Sequence, residues 1–266
     1  MIAIGLVLGA ASLARCTPLT SRVLLFPSHD DRPLDGAERV MIPDAEGAIE
    51  TIRAKSPAVG STPARAIVLR FYGNADRADE WPAREAASFS DWPVEVWGVN
   101  YPGFGRSEGS VSLDGVARAA DVAFAEAEKR GLPVFAMGTS MGTTAALHLG
   151  MKGNLRGVFL QNPPPLPELI RGRYGWWNLW LLAGPVSWSI PSSLDSLENA
   201  RLTTVPTLVV SSAEDEVVPF SYQTAVYEAC AGPKERIVVA GARHNDAIPP
   251  ATWDDIRTAL TRLGWR

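Results

Sequence analysis

The pentapeptide Gly138-Thr139-Ser140-Met141-Gly142 sets a serine at the point where an apolar run, Val134–Met137, gives way to the small residues of Met141–Lys152. A serine on so sharp a strand-to-helix turn has its hydroxyl lifted clear of the sheet, with the N-terminus of the next helix beneath it. The serine takes a strained backbone conformation, and the flanking glycines keep strand and helix from colliding. This is the placement a nucleophile requires. With Gly and Ser each near 7% of residues, such a pentapeptide arises by chance in roughly one chain in ten of this length. The strand before it and the helix after it therefore carry the inference.

A serine nucleophile needs a base, and the base needs an orienting acid. The chain has three histidines, His29, His148 and His244. His29 lies in an N-terminal loop, and His148 falls in the helix that follows Ser140; neither position suits a base. His244, in Gly241-Ala242-Arg243-His244-Asn245-Asp246, follows the late predicted strand Arg236–Ala240. A loop there brings an imidazole to the carboxyl end of a parallel sheet. The acid is sought among Glu214, Asp215 and Glu216, which follow the predicted strand Thr207–Ser211. Spacing alone leaves the choice among the three open.

The elements that must position these groups alternate between β-like and helix-like runs. Ala37–Ile42 and Ala48–Ala54 read as strands joined by a turn, and Ala66–Tyr72 as a buried strand ending at Gly73. Asp76–Phe89 reads as a helix, Val94–Asn100 as a strand and Leu113–Arg130 as a long helix. After Val134–Met137 and Met141–Lys152 come strand Val158–Leu160, strand Thr207–Ser211, helix Tyr222–Ala231, strand Arg236–Ala240 and helix Trp253–Leu263. Such alternation predicts an α/β fold, a mostly parallel sheet with helices on both faces. Pro163–Asn199 breaks the pattern. It carries Trp176, Trp177, Trp180 and Trp188 and is expected to form a short lid over one end of the sheet. In that lid, Trp177 and Trp180 are the candidate residues for an apolar acyl pocket.

The chain resembles the α/β-hydrolase fold family. Gly138-Thr139-Ser140-Met141-Gly142, Asp215-x-x-Val218-Pro219 and His244-Asn245-Asp246 each match its motifs, in the family's order of serine, acid, histidine. Tyr72-Gly73-Asn74-Ala75 and Tyr101–Gly109 are similar to the Bem46-like subgroup, related to α/β-hydrolase domain-containing proteins 13 and 17. The resemblance covers about residues 20 to 264. It implies a serine hydrolase acting on an ester or thioester, with Ser140 as nucleophile, Asp215 as acid and His244 as base. It implies an oxyanion hole from the backbone N–H groups of Met141 and Asn74. Tyr72 stands where the subgroup has a histidine, so it is expected to alter the acyl side of the site. No metal and no organic cofactor are implied. A serine peptidase and a non-catalytic binding protein of the same fold are the alternatives.

Composition fits this reading. The 266 residues carry 25 Lys+Arg and 29 Asp+Glu, a net charge of −4, which argues against a nucleic-acid partner. Glycines in Tyr101–Gly109 lack the Lys-Ser/Thr of a phosphate loop, so nucleotide binding is rejected. Cys16 and Cys230 cannot build a disulfide scaffold. Residues 1–16 form an apolar N-terminal segment ahead of a domain at 17–266. Ile2–Ala14 has no charge and is too short for a confident membrane span. It is expected to act as an export signal or to meet a membrane surface; packing on a cytoplasmic domain is the alternative. Arg15 stands where a lipoprotein cleavage site before Cys16 would have a small residue.

Overall fold

The computed structural model describes residues 20–21, 24–30, 32–60, 62–174 and 183–265. Among them, eight strands form one sheet: β1 (Glu38–Ile42), β2 (Ile49–Lys55), β3 (Ala66–Phe71), β4 (Val94–Val99), β5 (Val134–Thr139), β6 (Gly157–Gln161), β7 (Thr207–Ser212) and β8 (Lys234–Val239). Their order is β1-β2-β4-β3-β5-β6-β7-β8. β2 runs antiparallel to both β1 and β4, and every other neighbouring pair is parallel. The helices are α1 (Pro82–Ser88), α2 (Leu113–Glu128), α3 (Gly142–Gly150), α4 (Leu166–Tyr174), α5 (Ala183–Trp188), α6 (Ser196–Leu202), α7 (Phe220–Ala229) and α8 (Pro250–Arg262).

Strands buried on both faces need continuous apolar sequence, and β3, Ala-Ile-Val-Leu-Arg-Phe, is buried throughout. Its two faces feed two cores. Ile67, Leu69 and Phe71 join Ala120 of α2, Ala145 of α3, Ala200 of α6 and Val226 of α7. Ala66 and Val68 join Ala86 of α1 and Ile256 and Leu260 of α8. β3 lies between β4 and β5, so the chain leaves it to one side and later returns on the other. A crevice opens at such a switch point, at the carboxyl ends of the strands. Ser140 follows β5 at that end.

The helix expected over Asp76–Phe89 begins only at Pro82. Proline suits the first helical turn, where its missing N–H costs nothing. Upstream, Arg77 pairs with Asp79, and Asn100 Oδ1 accepts from Ala78 N at 2.8 Å, which holds that stretch in turns. The segment at 163–199 includes α4, α5 and a 3₁₀ turn, Ser192–Leu194. Its end at Asn199 falls inside α6, which Asp195 caps through Leu197 N and Glu198 N, both at 3.1 Å. No helix among the described residues is long and apolar enough to cross a membrane.

Candidate active site

Ser140 occupies the two-residue gap between β5 and α3, with φ +51°. That value is costly for any residue but glycine. Glycine is needed on both sides of it. A Cβ at Gly138 would lie 2.4 Å from Gly142 O, and one at Gly142 would lie 2.3 Å from Phe71 O. The turn is pinned by Ser140 N, which donates to Gln161 O at 2.8 Å. Thr143 Oγ1 donates to Ser140 O at 2.6 Å.

The loop after β8 returns His244 to this turn. Its Nε2 lies 3.0 Å from Ser140 Oγ, and its Nδ1 lies 2.7 Å from Asp215 Oδ2. A carboxylate can only accept, so it fixes the proton on Nδ1 and leaves Nε2 free to accept from the serine hydroxyl. Asp215 is buried at the end of β7, whereas Glu214 and Glu216 beside it are exposed. Its Oδ1 accepts from Val217 N at 2.9 Å and Val218 N at 2.7 Å. Glu216 meets only the backbone of His244, with Oε2 3.4 Å from the amide nitrogen. Of the three carboxylates weighed on sequence, Asp215 is the one in contact with the imidazole.

Two residues that sequence reasoning missed hold this arrangement. Asn162 follows β6 with φ +51°. Its Nδ2 donates to His244 O at 3.2 Å, and its Oδ1 accepts from Ser212 N at 2.9 Å. It thereby ties the histidine loop to the end of β7. A lone polar residue between a strand and a proline run, Asn162-Pro163-Pro164-Pro165, is the signal that marks it. Gln223 of α7 is fully buried, with Nε2 3.0 Å from Asp215 Oδ2 and 2.8 Å from Val218 O. No local sequence signal marks it.

Met141 and Asn74 belong to two separate elements. Met141 is the residue from which α3 starts, so its amide belongs to the open N-terminal turn of that helix. The loop after β3 passes close to the serine: a Cβ at Gly73 would sit 3.9 Å from Ser140 Cβ. Asn74 follows, and its carbonyl accepts from Phe26 N at 2.9 Å.

Tyr72 departs from the expectation that it shapes the acyl side. It shares the strand face of Val68 and Arg70, packs with Ile52 and Ala78, and is 2% exposed. Its hydroxyl donates to Glu85 Oε2 of α1 at 2.9 Å, and the Arg70 guanidinium lies over its ring. Burial first, and the Glu85 charge second, push its phenol well above the usual range. It offers a substrate no surface here. Tyr101–Gly109 is a scaffold turn: Tyr101 Oη donates to Tyr72 O at 3.0 Å, and Ser107 Oγ to Asn100 O at 2.7 Å. His148 faces Asp121, and His29 Nδ1 lies 3.1 Å from Gly105 O, so neither approaches Ser140. Trp176, Trp177, Trp180, Cys16 and the apolar residues 2–14 lie outside the described residues.

Comparison with known proteins bears on the fold. No family model matches the chain. Among solved structures, Est1E from Butyrivibrio proteoclasticus superposes with a TM-score of 0.70 at 12% identity, over 86% of this chain and 99% of that one. The Pyrococcus furiosus esterase Pf2001 gives 0.67 at 13% identity, over 90% and 96%. A predicted CIB-like hydrolase from Thermoplasma acidophilum gives 0.61 at 18% identity, over 85% and 98%. At these identities the likeness is one of fold, and the chain has the α/β-hydrolase fold.

Sequence comparison narrows the relationship. Alpha/beta hydrolase domain-containing protein 17B of Xenopus laevis is 25% identical over 195 residues, 69% of this chain and 62% of that one. The Caenorhabditis elegans alpha/beta hydrolase domain-containing protein aho-3 is 28% identical over 155 residues, 57% and 44% respectively. An uncharacterized protein of Mycobacterium tuberculosis is 26% identical over 239 residues, 85% and 80%. The chain thus spans less than two thirds of the first two proteins' length. It is an α/β-hydrolase-fold protein related to the domain-containing protein 17 group.

Proposed function

We propose that the protein is a serine hydrolase that cleaves a carboxylic ester or thioester through an acyl-enzyme on Ser140. The observation that carries this reading is the continuous chain Ser140 Oγ, His244 Nε2, His244 Nδ1, Asp215 Oδ2, with links of 3.0 and 2.7 Å. In the proposed reaction, Ser140 Oγ attacks the carbonyl carbon while Nε2 takes its proton. Asp215 stabilises the imidazolium that results. The developing oxyanion lies between the amides of Met141 and Asn74. Collapse expels the alcohol or thiol, which receives the proton from Nε2. Water then enters, loses a proton to the same nitrogen and attacks the acyl carbon; collapse breaks the bond to Ser140 Oγ, which takes the proton back from Nε2 as the acid leaves. The esterase names of two structural neighbours support an ester as substrate.

Residues 2–14 are further proposed to bring the enzyme to a membrane surface. The described chain begins at Thr20, whose Oγ1 lies 2.6 Å from Ser189 Oγ. Beside that contact stands Trp188, 68% exposed at the end of α5. An apolar segment upstream of Thr20, taken with an exposed indole near Thr20, suits an interfacial site. Hydrolysis of a matched series of p-nitrophenyl esters and acyl thioesters by wild type and Ser140→Ala tests the chemistry. Turnover by wild type alone supports it, and equal turnover by both proteins would overturn it.

A further inference from the structure

We infer that Gln223 is a positioning residue for the acid, an inference that rests on the serine-hydrolase reading above. The two backbone donors to Asp215, Val217 N and Val218 N, both bond Oδ1. They leave Oδ2, the oxygen that faces the imidazole, free to swing about the anchored one. Gln223 Nε2 meets that oxygen at 3.0 Å, on the same atom that takes His244 Nδ1 at 2.7 Å. With it, the carboxylate has four donors and no torsional freedom.

The carboxamide is itself fixed. Nε2 also donates to Val218 O at 2.8 Å and lies 3.5 Å from Ser212 O, so only acceptors surround it. Turning the amide over would set Oε1 against a carboxylate and two carbonyls. Oε1 is buried with no partner among the described residues. A buried acceptor left unsatisfied is destabilising, and an apolar side chain of the same shape would avoid that cost. Holding Oδ2 in line with Nδ1 is the function that offsets it. α7 supplies the rigid base: Val226, one turn on from Gln223, is wholly buried in the main core.

Donation to Oδ2 also draws charge from the oxygen that stabilises the imidazolium. Other charged groups near the pair include Glu214 and Arg243, next in sequence to Asp215 and His244, Asp246, which accepts from Arg243 N, Glu216, facing the His244 amide, and Arg236, which bonds Ser211 and Thr224. Loss of the Gln223 donor makes Asp215 a stronger acceptor for the imidazolium. The acid limb of kcat/KM is therefore expected to move up when the donor is lost.

The test measures kcat per active site, titrated with a fluorophosphonate, together with KM and the pH profile. Gln223→Met is expected to lower kcat roughly ten- to hundredfold, as a misaligned catalytic group does, with KM within about twofold. Its acid limb rises. Gln223→Glu, buried against Asp215 and two carbonyls, is held protonated and keeps one donor on Oδ2, so its kcat per site and its limb are expected to stay nearer wild type than those of Gln223→Met. A merely structural role would reduce the number of titrated sites and move neither kcat per site nor the limb. Unchanged kcat per site and an unchanged limb in Gln223→Met would overturn the inference. If the Met variant does not fold, Gln223→Leu, which also lacks the donor, is read by the same two measurements and decides. Wild type that neither labels nor hydrolyses would sink the underlying reading together with the inference. An active wild type beside unchanged variants sinks the inference only.

Discussion

Among the three loop carboxylates, burial and contact divide the labour that the charge run at 214–216 conceals. Asp215 bonds the imidazole, while Glu214 and Glu216 remain exposed. Asp215→Asn is therefore expected to lower kcat by about 10²–10⁴, since the amide favours the wrong imidazole tautomer. Glu214→Gln and Glu216→Gln should each stay within about threefold of wild type on steady-state assay, because an exposed loop charge acts through screened solvent. A Glu214→Gln variant as damaged as Asp215→Asn would contradict the assignment. A second carboxylate lies off the site. Burial pushes the Asp121 carboxyl up, but bonds from His148, 3.1 Å from both its oxygens, and from Lys152 outweigh that and hold it below its usual value. A depressed carboxyl stabilises the fold above its unfolded pKa of about 3.9, and the contribution is lost as pH falls through the folded value. Asp121→Asn should thus lower Tm at neutral pH, with the gap to wild type closing below about pH 4. A gap that stays constant across that range would place the effect outside this ionisation.

At the level of elements, the elbow is a three-way junction of β3, β5 and α3. Gly142 packs against the carbonyl of Phe71, the last residue of β3. Gly142→Ala must push α3 off β3, and overpacking of this kind costs about 1–3 kcal/mol. The expected result is a lower Tm together with loss of activity, because the same movement displaces Met141. Full stability in this variant, measured by thermal unfolding, would mean that strand and helix are not held as tightly as the contact implies. The elbow was legible in sequence because both of its sterically required glycines are local to the serine. The helix at 76–89 was overextended because the Arg77–Asp79 and Asn100–Ala78 contacts depend on side chains from other elements or on a turn. The motif position of Tyr72 points to the acyl side, yet the side chain is buried away from it. Its parity with Val68 and Arg70 along β3 already pointed it towards α1, where Glu85 receives it. Asn162 and Gln223 act across 82 and eight residues of chain, through loops whose return path no local pattern encodes.

For the molecule as a whole, one mostly parallel sheet carries Ser140, Asp215 and His244 beyond the carboxyl ends of its strands, and the segment between β6 and β7 leaves from that edge before returning through α6 to the amino end of β7. That segment is proposed as the lid. If Trp177 and Trp180 line an acyl pocket, Trp177→Ala or Trp180→Ala should raise KM for long-chain esters roughly ten- to two-hundredfold more than for acetyl esters. Equal effects on both would assign the indoles to packing. A protein beginning at Thr17 should remain folded and active while losing affinity for lipid vesicles, as read by sedimentation. Unfolding of that truncated protein would instead make residues 2–14 part of the core. The central claim is that Ser140, activated by His244, is the nucleophile, and covalent labelling reads it directly. After reaction with a fluorophosphonate, peptide mapping by mass spectrometry should find the adduct on Ser140. The adduct should be absent in Ser140→Ala and slowed by orders of magnitude, on the order of 10³ or more, in His244→Ala. Labelling at another residue, or at an undiminished rate in His244→Ala, would contradict the account.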